Sequence, residues 1–115
     1  MSTKFAELTL EQRQAKVKKM IADNPNRIPI ILQMDSSLKS EKLLKKRFLI
    51  PGNYKINNFL QTLKKDQNFK SDRALYFFTG ATLIKQDKTF NDLYIKYKDE
   101  DGILYMRCTD VPTFG

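Results

Sequence analysis

Apolar residues recur along this chain with two different periods, and the switches between them mark its elements. Thr9 followed three positions later by Gln12 is a capping-box signature. Leu10, Val17, Met20 and Ile21 then fall at helical spacing, with Arg13, Lys16, Lys18 and Lys19 around them, until Pro25 ends the helix. Residues 1–8 are compatible with a further short helical segment. RIPIILQMD (27–35) changes to period two, with Ile28, Ile30, Leu32 and Met34 on one face and Pro29, Ile31 and Gln33 on the other. Proline cannot donate to a ladder, so this strand should be incompletely paired on one side or lie at an edge. SSLKSEKLLKK reads as a polar, basic loop, and RFLIP (47–51) as a short strand stopped by Pro51 and Gly52.

From Tyr54 to about Lys65, Ile56, Phe59, Leu60 and Leu63 predict a helix that packs on a sheet. ALYFFT (74–79) is apolar throughout, as a strand buried on both faces should be. A turn at Thr79-Gly80-Ala81-Thr82 leads to the short segment Leu83-Ile84. Thr89 and Asp92 then cap a short helix carrying Phe90, Leu93 and Tyr94. Gly102 opens the last strand, ILYMRCT (103–109), whose alternation puts Leu104, Met106 and Cys108 on one face. Without the first helix the order is ββαββαβ, so the expected fold class is α+β: a ubiquitin-like β-grasp with an N-terminal helical extension. The expected division is an extension over 1–24, the ubiquitin-like domain over 25–110 and a tail over 111–115.

Composition narrows the function. At 115 residues with eight Phe and five Tyr, the chain can bury one real core and is not a disordered polyelectrolyte. No apolar run approaches the roughly 18 residues that span a bilayer. The N-terminus lacks a secretory h-region, and a lone cysteine suits a reducing compartment. The expected location is therefore the cytosol. Charge is lopsided: residues 1–70 hold 15 Lys and Arg against 6 Asp and Glu, whereas residues 71–115 hold 6 against 7. A basic front half calls for an acidic partner, and its N-terminal helix offers direct electrostatic contact with acidic proteins or anionic lipid.

Catalytic chemistry finds little footing. There is no histidine, the four glycines are scattered rather than forming a phosphate loop, and no cofactor is expected. Cys108 stands mid-strand with no acidic or imidazole neighbour in sequence, a structural rather than a reactive setting. Asp99-Glu100-Asp101 reads as a solvated turn, since three consecutive side chains space their oxygens poorly for a metal. The chain is not expected to be an enzyme.

The informative constellation is NRIPIIL (26–32) beside KKRFLIP (45–51). An incompletely paired strand among cations and apolar pockets can accept an extended peptide by strand addition, although the same pattern also describes plain core. With YKDEDGILYM and the terminal Gly115, these motifs resemble the autophagy ubiquitin-like modifiers of the GABARAP type, and the resemblance covers nearly the whole chain.

That resemblance implies a modifier handled by an activating and conjugating enzyme cascade and by a processing cysteine protease. Gly115 would be joined to phosphatidylethanolamine, placing the protein on the autophagosome membrane. It implies cargo receptors carrying aromatic-x-x-aliphatic motifs flanked by acids. The aromatic pocket would use Met20, Pro29, Ile31, Arg47, Leu49 and Ile103. The aliphatic pocket would use Phe48, Ile50, Pro51, Tyr54 and Phe59. Arg27, Lys45 and Arg47 would meet the flanking acids, and the peptide would pair with the backbone of 47–51. Three residues depart from the family pattern: Lys16 and Asp66 change sign relative to many members, and Ile103 replaces a commoner Phe. Two other readings stand beside it. One is a ubiquitin-like peptide-binding adaptor that is never conjugated. The other is a basic nucleic-acid binder stacking bases on Tyr76, Phe77 and Phe78, against which the apolar setting of that run counts, so no nucleic acid is expected.

Overall fold

The computed structural model describes residues 5–34, 45–70 and 72–110, with the side chain of Lys45 outside the description. A 3-10 turn at Phe5–Glu7 precedes α1 (Leu10–Asp23). Thr9 caps α1 by accepting the Gln12 N–H, while the Gln12 side chain accepts the Thr9 N–H, so the capping box is complete. The chain then runs β1 (Arg27–Met34), β2 (Lys45–Pro51), α2 (Ile56–Asp66), β3 (Tyr76–Thr79), β4 (Thr82–Leu83), α3 (Phe90–Tyr97) and β5 (Leu104–Thr109). Among the described residues these five strands form one mixed sheet in the order β2-β1-β5-β3-β4. β1 and β5 are parallel at its centre, and the other neighbours are antiparallel. This is the ubiquitin-like β-grasp expected from the element order, with the N-terminal helix added.

Several boundaries move, each for a local reason. β2 begins at Lys45, two residues before the expected Arg47, because Lys46 and Lys45 still pair with Leu32 and Gln33. α2 begins at Ile56 rather than Tyr54: the Tyr54 N–H is bound to Pro51 O in a turn, and its carbonyl accepts the Phe90 N–H. β3 starts at Tyr76 and not Ala74, because its partner β5 ends opposite it at Thr109. Asp35 and most of the expected basic loop lie outside the described residues.

Pro29 resolves one open alternative. β1 is flanked on both sides, so it is not an edge strand; its pairing with β5 instead begins only at Ile30. On the β2 side, the Gly52 N–H donates to Asn26 O at 3.0 Å. Counting by twos from that bonded pair puts Ile28–Ile50 and Ile30–Phe48 in bonded positions and Pro29–Leu49 and Arg27–Pro51 in the positions between. Both prolines thus occupy places where no ladder donor is required.

The core lies between the sheet and α2 with α3. It gathers Ile28, Ile30, Leu32 and Met34 from β1 and Leu104, Met106 and Cys108 from β5, against Phe59, Leu60, Leu63, Phe90 and Leu93. Phe59 is its aromatic centre, edge-on to Phe48 at 5.1 Å and to Phe90 at 5.4 Å. Phe77 and Phe78 are both buried, on opposite faces of β3, as the continuous apolar run anticipates. α1 covers the other face of the sheet, burying Val17 and Pro29.

The hinge between helix and sheet is Gly102, at φ +89. A Cβ there would lie 2.8 Å from Val17 Cγ1. Gly102→Ala combines a left-handed backbone with a clash against a buried side chain, so we expect a loss of about 2–3 kcal/mol. Urea titration of wild type and variant measures it, and Gly80→Ala, equally left-handed but with open space around the new methyl, isolates the backbone share.

Candidate functional site

The loop 99–103 fixes how α1 meets the sheet. Asp101, expected in a solvated turn, is instead buried, with its side chain fully out of solvent. Burial is tolerable because the carboxylate accepts three hydrogen bonds. They come from Arg13 Nε at 3.3 Å, from the Ile103 N–H at 2.8 Å and from the Tyr105 hydroxyl. Arg13 also donates to Leu8 O at 2.8 Å, which ties the N-terminal turn into the same cluster. Gln14 donates to Glu100 O, and the Tyr94 hydroxyl donates to Gly102 O. Among the described residues, no group of three His, Cys, Asp or Glu could hold a metal ion.

With α1 held this way, a cavity of about 220 Å³ opens between it and the β1–β2 ribbon. Met20 from α1, Pro29 and Ile31 from β1, Arg47 and Leu49 from β2, and Ile103 line it, together with Phe5, Ile30 and Phe48. All six residues named for an aromatic pocket therefore meet in one place. Phe5 was not anticipated; it reaches the cavity from the 3-10 turn, with the Arg47 guanidinium 5.6 Å from its ring centre. No short-range pattern signals it, because its neighbours are brought there by tertiary packing. Lys16 is exposed on the flank of α1, and Asp66 closes α2.

The residues named for an aliphatic pocket are placed more loosely. Phe48, Ile50 and Pro51 are half-buried along β2, Tyr54 is exposed just beyond it, and Phe59 belongs to the core beneath Phe48. Arg27 is exposed and donates to Leu49 O at 3.1 Å. That carbonyl, lying between bonded pairs, points to the open edge of β2. The lip of the site is thus an edge strand whose outward main chain is held by an arginine. Lys45 belongs to β2 by its backbone, and Gly115 lies outside the described residues.

Comparison with known proteins decides the family. The model of "Autophagy protein Atg8 ubiquitin like" matches residues 12–115. The chain belongs to the Atg8 family. It is similar to autophagy-related protein 8i of Arabidopsis thaliana, 32% identical over 93% of each chain. Autophagy-related protein 8D of Oryza sativa is 34% identical over 95% of this chain and 93% of that protein. Among solved structures, ATG8 of Trypanosoma brucei superposes with a TM-score of 0.75 at 31% identity, covering 95% of each chain. Plasmodium falciparum Atg8, solved with a P. falciparum Atg3 peptide, gives 0.77 at 31% identity over 96% of this chain and 98% of that one. Atg8 proteins are ubiquitin-like autophagy proteins. Among the described residues of this Atg8-family chain, no helix is long and apolar enough to cross a membrane.

The Asp101 cluster makes a pH prediction. Burial, followed by the hydrogen bond to Asp101, pushes the Tyr105 phenol well above its ordinary value, and burial with the Asp101 charge raises Tyr94. The folded state therefore keeps these protons after the unfolded chain begins to lose them. Stability from this source is complete below about pH 10, the ordinary tyrosine value, and falls as pH rises beyond it. In denaturant titrations from pH 8.5 to 11.5, Tyr105→Phe should reduce the alkaline slope relative to wild type.

Proposed function

We propose that this Atg8-family protein is a modifier conjugated through Gly115 to phosphatidylethanolamine, and that it recruits receptors through the cavity between α1 and β2. The observation that carries the receptor half is the convergence of an apolar cavity, exposed cations and an open strand edge at residues 47–51. A peptide added to β2 would take over the outward groups of Arg47 and Leu49. Its aromatic side chain would enter the cavity against Met20, Ile31 and Ile103. Its aliphatic side chain would rest on Phe48, Ile50, Pro51 and Tyr54 above Phe59. Arg27 would exchange the Leu49 carbonyl for a flanking acid of the peptide, joined by Arg47 and Lys45.

The conjugation half is supported by the family match, which extends to residue 115, and by the Atg3 peptide bound to the Plasmodium relative. It implies activating and conjugating enzymes, a processing protease, and an autophagosome location once lipid is attached. Placement with the GABARAP type rests on the motifs NRIPII, KKRFLIP and YKDEDGILYM.

Two experiments test the halves separately. Truncating a desolvated anchor commonly costs about 2 kcal/mol or more, so Leu49→Ala should weaken an acid-flanked aromatic-x-x-aliphatic peptide at least about tenfold by calorimetry. Equal affinities would return Leu49 to a purely structural role. In a reconstituted cascade, Gly115→Ala should fold normally and yield little or no lipid amide by mass spectrometry. Undiminished lipidation of that variant would place the acyl donor elsewhere.

A further inference from the structure

A second groove lies at the opposite edge of the sheet, between β4 and α3. Its exposed apolar residues are Leu83 and Ile95; Ile95, 79% exposed, stands out of phase with Phe90 and Leu93, which point α3 into the core. Lys85, Lys88 and Lys96 line the same groove. Asp92 lines the groove too and stays ionised, held so first by its bonds to Thr89 and also by nearby Lys88, so the lining carries three lysines against one aspartate; Asp87 lies in the turn between two of the lysines. This is a concentrated cationic patch in the half of the chain whose net charge is −1.

We propose that this β4–α3 face is a membrane-contact surface that binds anionic phospholipid headgroups and inserts Ile95 among them. A protruding aliphatic residue ringed by lysines matches an anionic interface: the ammonium groups meet lipid phosphates while the side chain enters the headgroup layer. Sheet register supplies a second argument, which rests on conjugation at Gly115. The Ile84 N–H donates to Phe77 O, and Phe77 stands opposite Cys108, so β4 runs toward the end of the sheet where β5 finishes. Two strand spacings, about 10 Å, separate β4 from that exit. Residues 111–115 can span at most about 18 Å. A lipid on Gly115 would therefore keep this face within reach of the bilayer, where even weak headgroup contacts orient the domain.

The test uses the unconjugated full chain, so it stands apart from lipidation. Flotation is measured with vesicles of phosphatidylcholine alone and with about 30% phosphatidylserine. Wild type should float with the anionic vesicles and be released by salt. Ile95→Gln should lower partitioning at least about fivefold at unchanged charge. Each Lys→Gln change at 85, 88 or 96 should cost about fivefold. Lys65→Gln, which removes one exposed charge of α2 outside the groove, is the matched control and should leave binding nearly intact. Loss in the control equal to that in the groove variants would mean attraction to net charge only, and would overturn the proposal. So would failure to float with any composition, or a Glu-rich, leucine-bearing peptide shifting the Ile95 amide resonance while vesicles do not. Because Gly115 takes no part, a missing lipid amide and a failed flotation remain separate results.

Discussion

The carboxylate of Asp101 is the group on which the arrangement of helix, loop and sheet depends. An acid taken out of water must find partners or lose its charge, and here the partners come from separate parts of the chain. Arg13 belongs to α1, Ile103 to the approach to β5, and Tyr105 to β5 itself. Satisfying one carboxylate therefore sets the distance of α1 from the sheet and the position of Ile103. Gly102 is the counterpart of this constraint: the loop can turn under Val17 only where a side chain is absent. The cavity beside β2 follows, since Met20 from α1 and Ile103 line one space only while α1 is held at this spacing.

A five-stranded open sheet has two edges, and this one treats them differently. β2 is long, with cationic residues at 45–47, a common defence of an edge against self-association. Its two-residue phase relative to β1 puts Pro29 and Pro51 where no donor is missed and turns the main chain of Arg47 and Leu49 outward. The arginine bond to Leu49 O keeps that edge occupied in the absence of a partner. β4 takes the other course. It is two residues long, too short to template another strand, and α3 lies alongside. An edge built for main-chain pairing and an edge built to avoid it present different surfaces, which is why side chains dominate the second.

Most elements were legible in the sequence because their causes are local. The Thr9–Gln12 and Thr89–Asp92 boxes form as written, and the alternations in RIPIILQM and LYMRCT match the buried faces of β1 and β5. What escaped was set by contacts distant in sequence. Asp101 looks solvated in an acidic triplet because its ion-pair partner is 88 positions away. Lys45 and Lys46 look like loop because lysine is disfavoured in strands generally yet common on edges. Phe5 carries no sign of its destination.

Net charge over long segments proves a poor guide to where cations act. Screening limits exposed charges to about 8 Å at physiological ionic strength, so only lysines and arginines close to an apolar anchor contribute to one contact. Around the first cavity, Arg47 meets this condition, in the basic front half of the chain. Around the second, Lys85, Lys88 and Lys96 meet it in a half whose total charge is slightly negative. Asp92 offsets one of them within the groove, while two other acids that enter the sum are committed elsewhere. Asp101 is sealed beneath α1, and Asp110 is paired with Arg73 at 3.0 Å. With those two carboxylates committed to structural bonds, the groove lining keeps three lysines against the one aspartate, Asp92, so a partner at this edge meets a net positive face.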